Sequence, residues 1–209
     1  MIDARSRQAT GAASDSSPSR QIEALASSVF ISEMHMTDIL TAGRKAHVTS
    51  TWVDILRGRI TAAGAPSGGK LARWARAGAS DVVTLLREDE MRPGLPAQCA
   101  DLGLAWHHLP LSGRRLNRRS DRASIQRIPE LVDLLRRGGS VVVHCAAGLH
   151  RTGVCLYLVF RASGQTPEES AALIRRARPL TANELVRKTR KSGVLVETAE
   201  RLFQPLAAG

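Results

Sequence analysis

Apolar residues fall into short blocks along the chain. Glycine, proline and charged residues separate them, and from about residue 51 the blocks alternate between strand-like and helix-like character. Gly58 to Pro66 reads as a first short strand. Lys70 to Ala77 follows as a helix that Gly78 stops, and Asp81 to Leu86 as a buried strand built on Val82, Val83, Leu85 and Leu86. Pro96 to Gly103 predicts a helix and Ala105 to Leu109 a further strand. Ser120 caps the next helix with Asp121 in its first turn; Ile125, Ile128, Val132 and Leu135 mark its inner face, and Gly138-Gly139 ends it. Three consecutive β-branched residues, Val141-Val142-Val143, make Ser140 to His144 the clearest strand. Arg151 to Ala162 is apolar almost all round, the pattern of a helix inside a core. Thr166-Pro167-Glu168-Glu169 is a capping box with proline at the first helical position, and Thr181-Ala182-Asn183-Glu184 is a second one that opens the last helix. The alternation predicts an α/β domain over 51–209, preceded by an N-terminal extension over 1–50. The first 20 or so residues of that extension are polar, aperiodic and expected to be disordered; Ile22, Leu25, Ala26, Val29 and Phe30 stand at helical spacing after them.

Composition narrows the function classes. The 209 residues suit one ordinary domain plus an extension, and 43% apolar content supports a sizeable core. Aromatics at 3% argue against a stacking surface for single-stranded nucleic acid. The formal charge of +11, carried mostly by arginine, suits an anionic partner such as a phosphorylated protein, a phosphoinositide or RNA, and equally a merely arginine-rich protein. Cys99, Cys145 and Cys155 are odd in number and irregular in spacing, which suits neither a disulfide framework nor zinc. No apolar run is long enough to span a bilayer and the N-terminus lacks a signal-like stretch, so a reduced, cytoplasmic setting is the expectation.

The informative stretch runs from Val141 to Gly153: strand, small-residue loop, helix. Between Cys145 and Leu149 stand Ala146, Ala147 and Gly148, so the loop backbone is free to turn its N–H groups around an anion, with Leu149 and His150 completing the ring. The helix that follows points its positive end at the same place. Arg151 is placed to hold two phosphate oxygens by charge-assisted bonds. That field favours the thiolate of Cys145, the form that attacks phosphorus, and the Thr152 hydroxyl is placed to stabilise the sulfur as a leaving group. The spacing alone proves little, because Cys155 and Arg161 share it inside an apolar helix where no backbone N–H is free.

His144-Cys145, Arg151 and Thr152 match the H-C-x5-R-[S/T] signature, and at these residues the chain resembles the protein tyrosine phosphatase superfamily. Gly78 to Leu86 followed by Glu88 and Glu90, together with His108-Leu109-Pro110-Leu111, is similar to the dual-specificity, cyclin-dependent-kinase-inhibitor-3-like branch, over roughly residues 55 to 190. The resemblance implies a central, mostly parallel sheet flanked by helices and no metal or other cofactor. It implies hydrolysis of phosphotyrosine, with phosphoserine and phosphothreonine as further substrates, through a cysteinyl-phosphate.

One departure stands out. Where such enzymes carry an aspartate as general acid, Pro110-Leu111 is followed by Ser112-Gly113-Arg114. The candidate donors are then Asp121, beyond an arginine-rich loop (Arg114, Arg115, Arg118, Arg119, Arg122), and Asp89. Asp121 has the competing role of steadying its own helix. Without a donor, aryl phosphates remain substrates and alkyl phosphates do not. Two alternatives stay open: a phosphoinositide or RNA 5′-phosphatase on the same fold, and a catalytically weak phosphate-binding pseudophosphatase. The paired His107-His108 lack a third ligand for a metal.

Overall fold

The computed structural model describes residues 50–67, 69–112, 116, 118–192, 196 and 198–202. The N-terminal extension and its helix-spaced residues lie outside the described residues, as do Arg114 and Arg115. Five strands form one sheet in the order β1-β2-β5-β3-β4. They are β1 (Val53–Ile55), β2 (Gly58–Gly64), β3 (Asp81–Thr84), β4 (Ala105–His108) and β5 (Ser140–Cys145). Only the β1–β2 pair is antiparallel; β5 lies parallel between β2 and β3, with Gly64 opposite Cys145 and Thr84 opposite His144. The expected mostly parallel sheet is therefore present, and the loop after Cys145 leaves the C-terminal end of its middle strand. Open α/β sheets gather their ligands at that end.

Seven helices complete the described fold: α1 (Lys70–Arg76), α2 (Leu95–Asp101), α3 (Arg119–Gln126), α4 (Ile128–Arg136), α5 (His150–Ala162), α6 (Pro167–Ala177) and α7 (Pro179–Ser192). The strands alternate their side chains between two apolar layers. Val82 joins Leu71, Leu95, Cys99 and Leu104 under α1 and α2, whereas Val83, Val141 and Val143 face the larger layer, which takes in α3 to α7. Helix α5 is buried without interruption from Thr152 to Phe160. Burying Leu156, Leu158 and Phe160 contributes about 1.5–3 kcal/mol each, which fixes the helix end that faces the loop.

Three sequence expectations change. A hairpin strand, Val53–Ile55, precedes the strand at Gly58; three residues with a polar centre are too short to show an alternating pattern. The helix expected to run from Ser120 to Gly138 is two helices. Pro129 has no N–H for the ladder, so the chain breaks at Arg127 and restarts as α4 with proline in its first turn. Helix α3 also starts one residue before Ser120, with Arg118 as its N-cap. Finally, α7 begins at Pro179 rather than at Thr181, and Thr181 is buried instead of capping. The Thr166 capping box is as expected: Thr166 Oγ1 accepts from Glu169 N at 3.2 Å, and Glu169 accepts from Thr166 N at 2.8 Å.

Candidate active site

The loop between β5 and α5 is shaped by one glycine. Gly148 sits at φ 70°, a left-handed conformation that reverses the chain before the helix. A Cβ there would collide with the Ala63 carbonyl and the Arg178 guanidinium, so no other residue fits without displacing both. The N–H groups of Ala147, Gly148, Leu149 and His150 have no hydrogen-bond partner among the described residues. Gly153 N donates to Leu149 O at 2.8 Å and closes the first turn of α5. These unspent donors lie at the head of the helix, where backbone N–H groups have no intrahelical acceptor.

Cys145 ends the central strand and is 4% exposed. Arg151 lies in the first turn of α5, and Thr152 is fully buried beside it with a hydroxyl that has no protein partner among the described residues. Buried hydroxyls in folded proteins are almost always paired, so this one is conspicuous at the edge of the loop. His144 is fully buried on the strand. Its Nε2 lies 2.8 Å from Thr84 Oγ1, which accepts from Trp106 Nε1 at 2.9 Å. Because the indole N–H is donor only, the Thr84 hydroxyl proton is left for His144 Nε2, and the ring proton belongs on Nδ1, towards the Cys145 carbonyl at 3.5 Å. Burial pulls the His144 pKa down to about 4, so the ring is neutral at physiological pH and serves the backbone rather than the charge balance of the site.

Contacts from distant parts of the chain complete the arrangement, and sequence reasoning missed them. Glu90, in the short 3-10 turn after β3, places its Oε2 2.6 Å from an Arg151 terminal nitrogen; that nitrogen also reaches Leu111 O at 3.3 Å. Burial opposes the charge on Glu90, but Arg151 and the Arg87 N–H outweigh it and hold the carboxyl below its usual range. The available signal was an acidic turn after the C-terminal end of a strand adjacent to β5. On the loop's other side, Arg178 donates to Ala147 O and Gly148 O at 2.9 and 2.8 Å, and Thr181 donates to Gly148 O at 2.6 Å. His150 Nε2 lies 3.5 Å from Glu184 Oε2, within ion-pair range but misaligned for a hydrogen bond.

The two candidate proton donors differ in their surroundings. Asp121 is fully buried. Its carboxylate accepts from Ser112 N at 2.6 Å, Ser112 Oγ at 2.8 Å and Arg118 N at 2.9 Å. It ties Ser112 to the start of α3, an arrangement that suits the helix-steadying role. Asp89 is largely exposed and forms two parallel bonds to Arg87 at 3.0 Å. His107 pairs with Asp81 at 2.8 Å, and His108 with Leu86 O at 2.8 Å, so each imidazole has one nitrogen committed locally.

A family profile described as the tyrosine phosphatase family matches residues 70–172. Among solved structures, Tk-PTP is 24% identical with a TM-score of 0.53, covering 73% of this chain and 93% of its own. Kinase associated phosphatase is 14% identical with a TM-score of 0.57 over 76% of this chain and 98% of its own. Human DUSP28 is 18% identical with a TM-score of 0.51 over 71% and 94%. No curated protein matches significantly. The matched span carries Cys145, Arg151 and Thr152 at the mouth of the sheet, and the fold around them is that of these phosphatases. By this match, residues 70–172 are similar to the tyrosine phosphatase family, and the fold around them is one that solved phosphatases share.

Proposed function

We propose that the protein is a cysteine-dependent phosphatase that hydrolyses phosphotyrosine in protein substrates, with the activity carried by the unit from about residue 51 onward. The observation that carries the reading is the set of unpaired N–H groups from Ala147 to His150, held between Cys145 and Arg151 at the head of a buried helix. Such a ring binds a dianion next to the Cys145 sulfur.

The sulfur attacks phosphorus in line. The S–P bond forms as the ester P–O bond breaks, and the leaving oxygen departs with the bonding pair. Ala146, Ala147, Gly148, Leu149 and His150 supply backbone donors to the phosphoryl oxygens, and Arg151 holds two of them as charge moves outward. Water then attacks phosphorus, the S–P bond breaks, and the Thr152 hydroxyl stabilises the departing thiolate. The products are inorganic phosphate and the regenerated enzyme. Kinase associated phosphatase, which shares the fold, has its catalytic site cysteine replaced by serine in its solved form; this supports cysteine chemistry on such a frame.

The placement of Asp121 favours aryl over alkyl esters. A phenoxide departs with little protonation, whereas a serine alkoxide needs a donor, and the Asp121 carboxylate is spent on Ser112 and Arg118. The same observation supports a second reading, a phosphate-binding module with little turnover. Phosphate release from tyrosine- and serine-phosphorylated peptides, by wild type and Cys145→Ser, decides between them. Tyrosine-selective release that the substitution abolishes supports the enzyme. Equal release from both peptides sinks the aryl preference, and phosphopeptide binding without wild-type turnover establishes the module.

A further inference from the structure

The outer side of the phosphate loop is braced by the junction of α6 and α7. Arg178, between the helices, bonds the carbonyls of Ala147 and Gly148, and Thr181 adds a second bond to Gly148 O. Arg178, Thr181 and Glu184 recur every three residues, so one face of this segment meets the loop at three points, the last being the Glu184–His150 contact. In a trans peptide unit the C=O and N–H point opposite ways. The Ala147 carbonyl shares its plane with the Gly148 N–H, and the Gly148 carbonyl with the Leu149 N–H. Turning both oxygens onto Arg178 and Thr181 turns both N–H groups to the opposite side of the loop, the side an anion held by them would take. Gly148 at φ 70° is the position where these planes are most free to flip, because glycine has little intrinsic preference between the two hands. Thr181 is fully buried, and Arg178 gives up solvent to reach the loop: burial lowers its basicity while the nearby Cys145 raises it.

We infer that Arg178 and Thr181 are positioning residues that set the phosphate-loop amides for anion binding by fixing the outward carbonyls of Ala147 and Gly148. This rests on the phosphatase reading only for its effect on turnover; its effect on anion binding stands alone. The matched family profile ends at residue 172, before either residue.

The test uses the full chain with Thr181→Val, Thr181→Ser and Arg178→Lys. Inorganic phosphate affinity is measured by calorimetry, alkylation of Cys145 by iodoacetamide is followed at pH 6, and unfolding is recorded in parallel. Thr181→Val, which keeps the shape and loses the donor, is expected to weaken phosphate binding about 5- to 30-fold and to slow alkylation, with Thr181→Ser restoring both. Arg178→Lys keeps the charge but loses the planar fork that spans two carbonyls, and is expected to weaken phosphate about 3- to 10-fold. If Thr181→Val and Arg178→Lys lower the unfolding temperature but leave phosphate affinity and alkylation at wild-type values, the pair is a structural brace and the inference is overturned. It is overturned equally if wild type binds no phosphate. Wild type that binds phosphate with this sensitivity yet hydrolyses nothing sinks the phosphatase reading and leaves the positioning role intact.

Discussion

Cys145 and Cys155 sit ten positions apart, both are nearly inaccessible, and each is followed six residues later by an arginine, yet their surroundings share almost nothing. Cys145 ends a strand and is followed by backbone N–H groups that have no acceptor among the described residues. Cys155 lies within α5, where the helix ladder uses those groups, and burial together with the nearby Cys145 pushes its thiol up to about 12. The arginines diverge likewise. Arg151, in the first turn of α5, is held by Glu90 and Leu111 O. Arg161 is tied to Glu200 at 2.7 Å and to Gln165 O at 2.6 Å, and Glu200 also accepts from Tyr157 at 2.9 Å. The surroundings thus differ in where the backbone leaves donors unspent, although the cysteine–arginine spacing is the same.

The largest expected effect breaks the comparison outright if it fails. Cys145→Ser should lower para-nitrophenyl phosphate turnover at least about 10³-fold, because a hydroxyl in the same field is a far weaker nucleophile. Cys155→Ala should leave kcat within about twofold and cost about 1–2 kcal/mol of stability through the small cavity it opens. A Cys155→Ala protein that folds but does not turn over would place chemistry on the wrong cysteine.

Next in size, Arg151→Lys should reduce kcat/KM about 10²-fold by losing the two-oxygen grip, whereas Arg161→Lys should lower the unfolding temperature and leave kcat/KM close to wild type. Steady-state kinetics beside thermal melts reads both. Equal kinetic losses would mean the two arginines share one network.

Asp121→Asn removes charge-assisted bonds to Ser112 and Arg118 and should cost about 1.5–3 kcal/mol in denaturant unfolding. The basic limb of its pH–rate profile should match wild type. Loss of that limb would show that the 110–121 segment rearranges to bring Asp121 to the leaving group.

The last effect is one of pH on stability and concerns His144. Its folded-state pKa of about 4 lies below the ordinary 6.5, so between those values the unfolded chain takes up a proton that the folded one does not. The neutral ring costs the fold nothing above pH 6.5. As pH falls from 6.5 towards 4, stability should decline by about 1.4 kcal/mol per pH unit from this group. Urea unfolding at pH 7, 6 and 5 measures the slope, and His144→Gln should flatten it. An unchanged slope would place the titration elsewhere.

Much of this site was legible in order along the chain, since its parts are local. A β-branched run ends at Cys145, small residues follow, and an apolar helix starts beside Arg151; each step depends on neighbours a few positions away. Helix and strand positions were legible for the same reason. The sequence signal was least informative where a local pattern met a distant partner. Asp121 carries the chemistry of an acid and the position of a helix-steadying residue, and its carboxylate rests on the Ser112 N–H and hydroxyl. Thr181-Ala182-Asn183-Glu184 has the letters of a capping box, but the Gly148 carbonyl, 33 positions earlier, takes the threonine hydroxyl.

The sequence by itself determined that a cysteine, a flexible ring of amides and an arginine would meet at a strand–helix junction, because rotation about adjacent bonds suffices to bring them together. Which carboxylate would rest on Arg151, and which side chains would hold the ring's carbonyls outward, only the tertiary structure decided. Glu90 and Arg151 are 61 positions apart and meet because β3 pairs with β5 in one register, a choice made by the whole apolar interior at once.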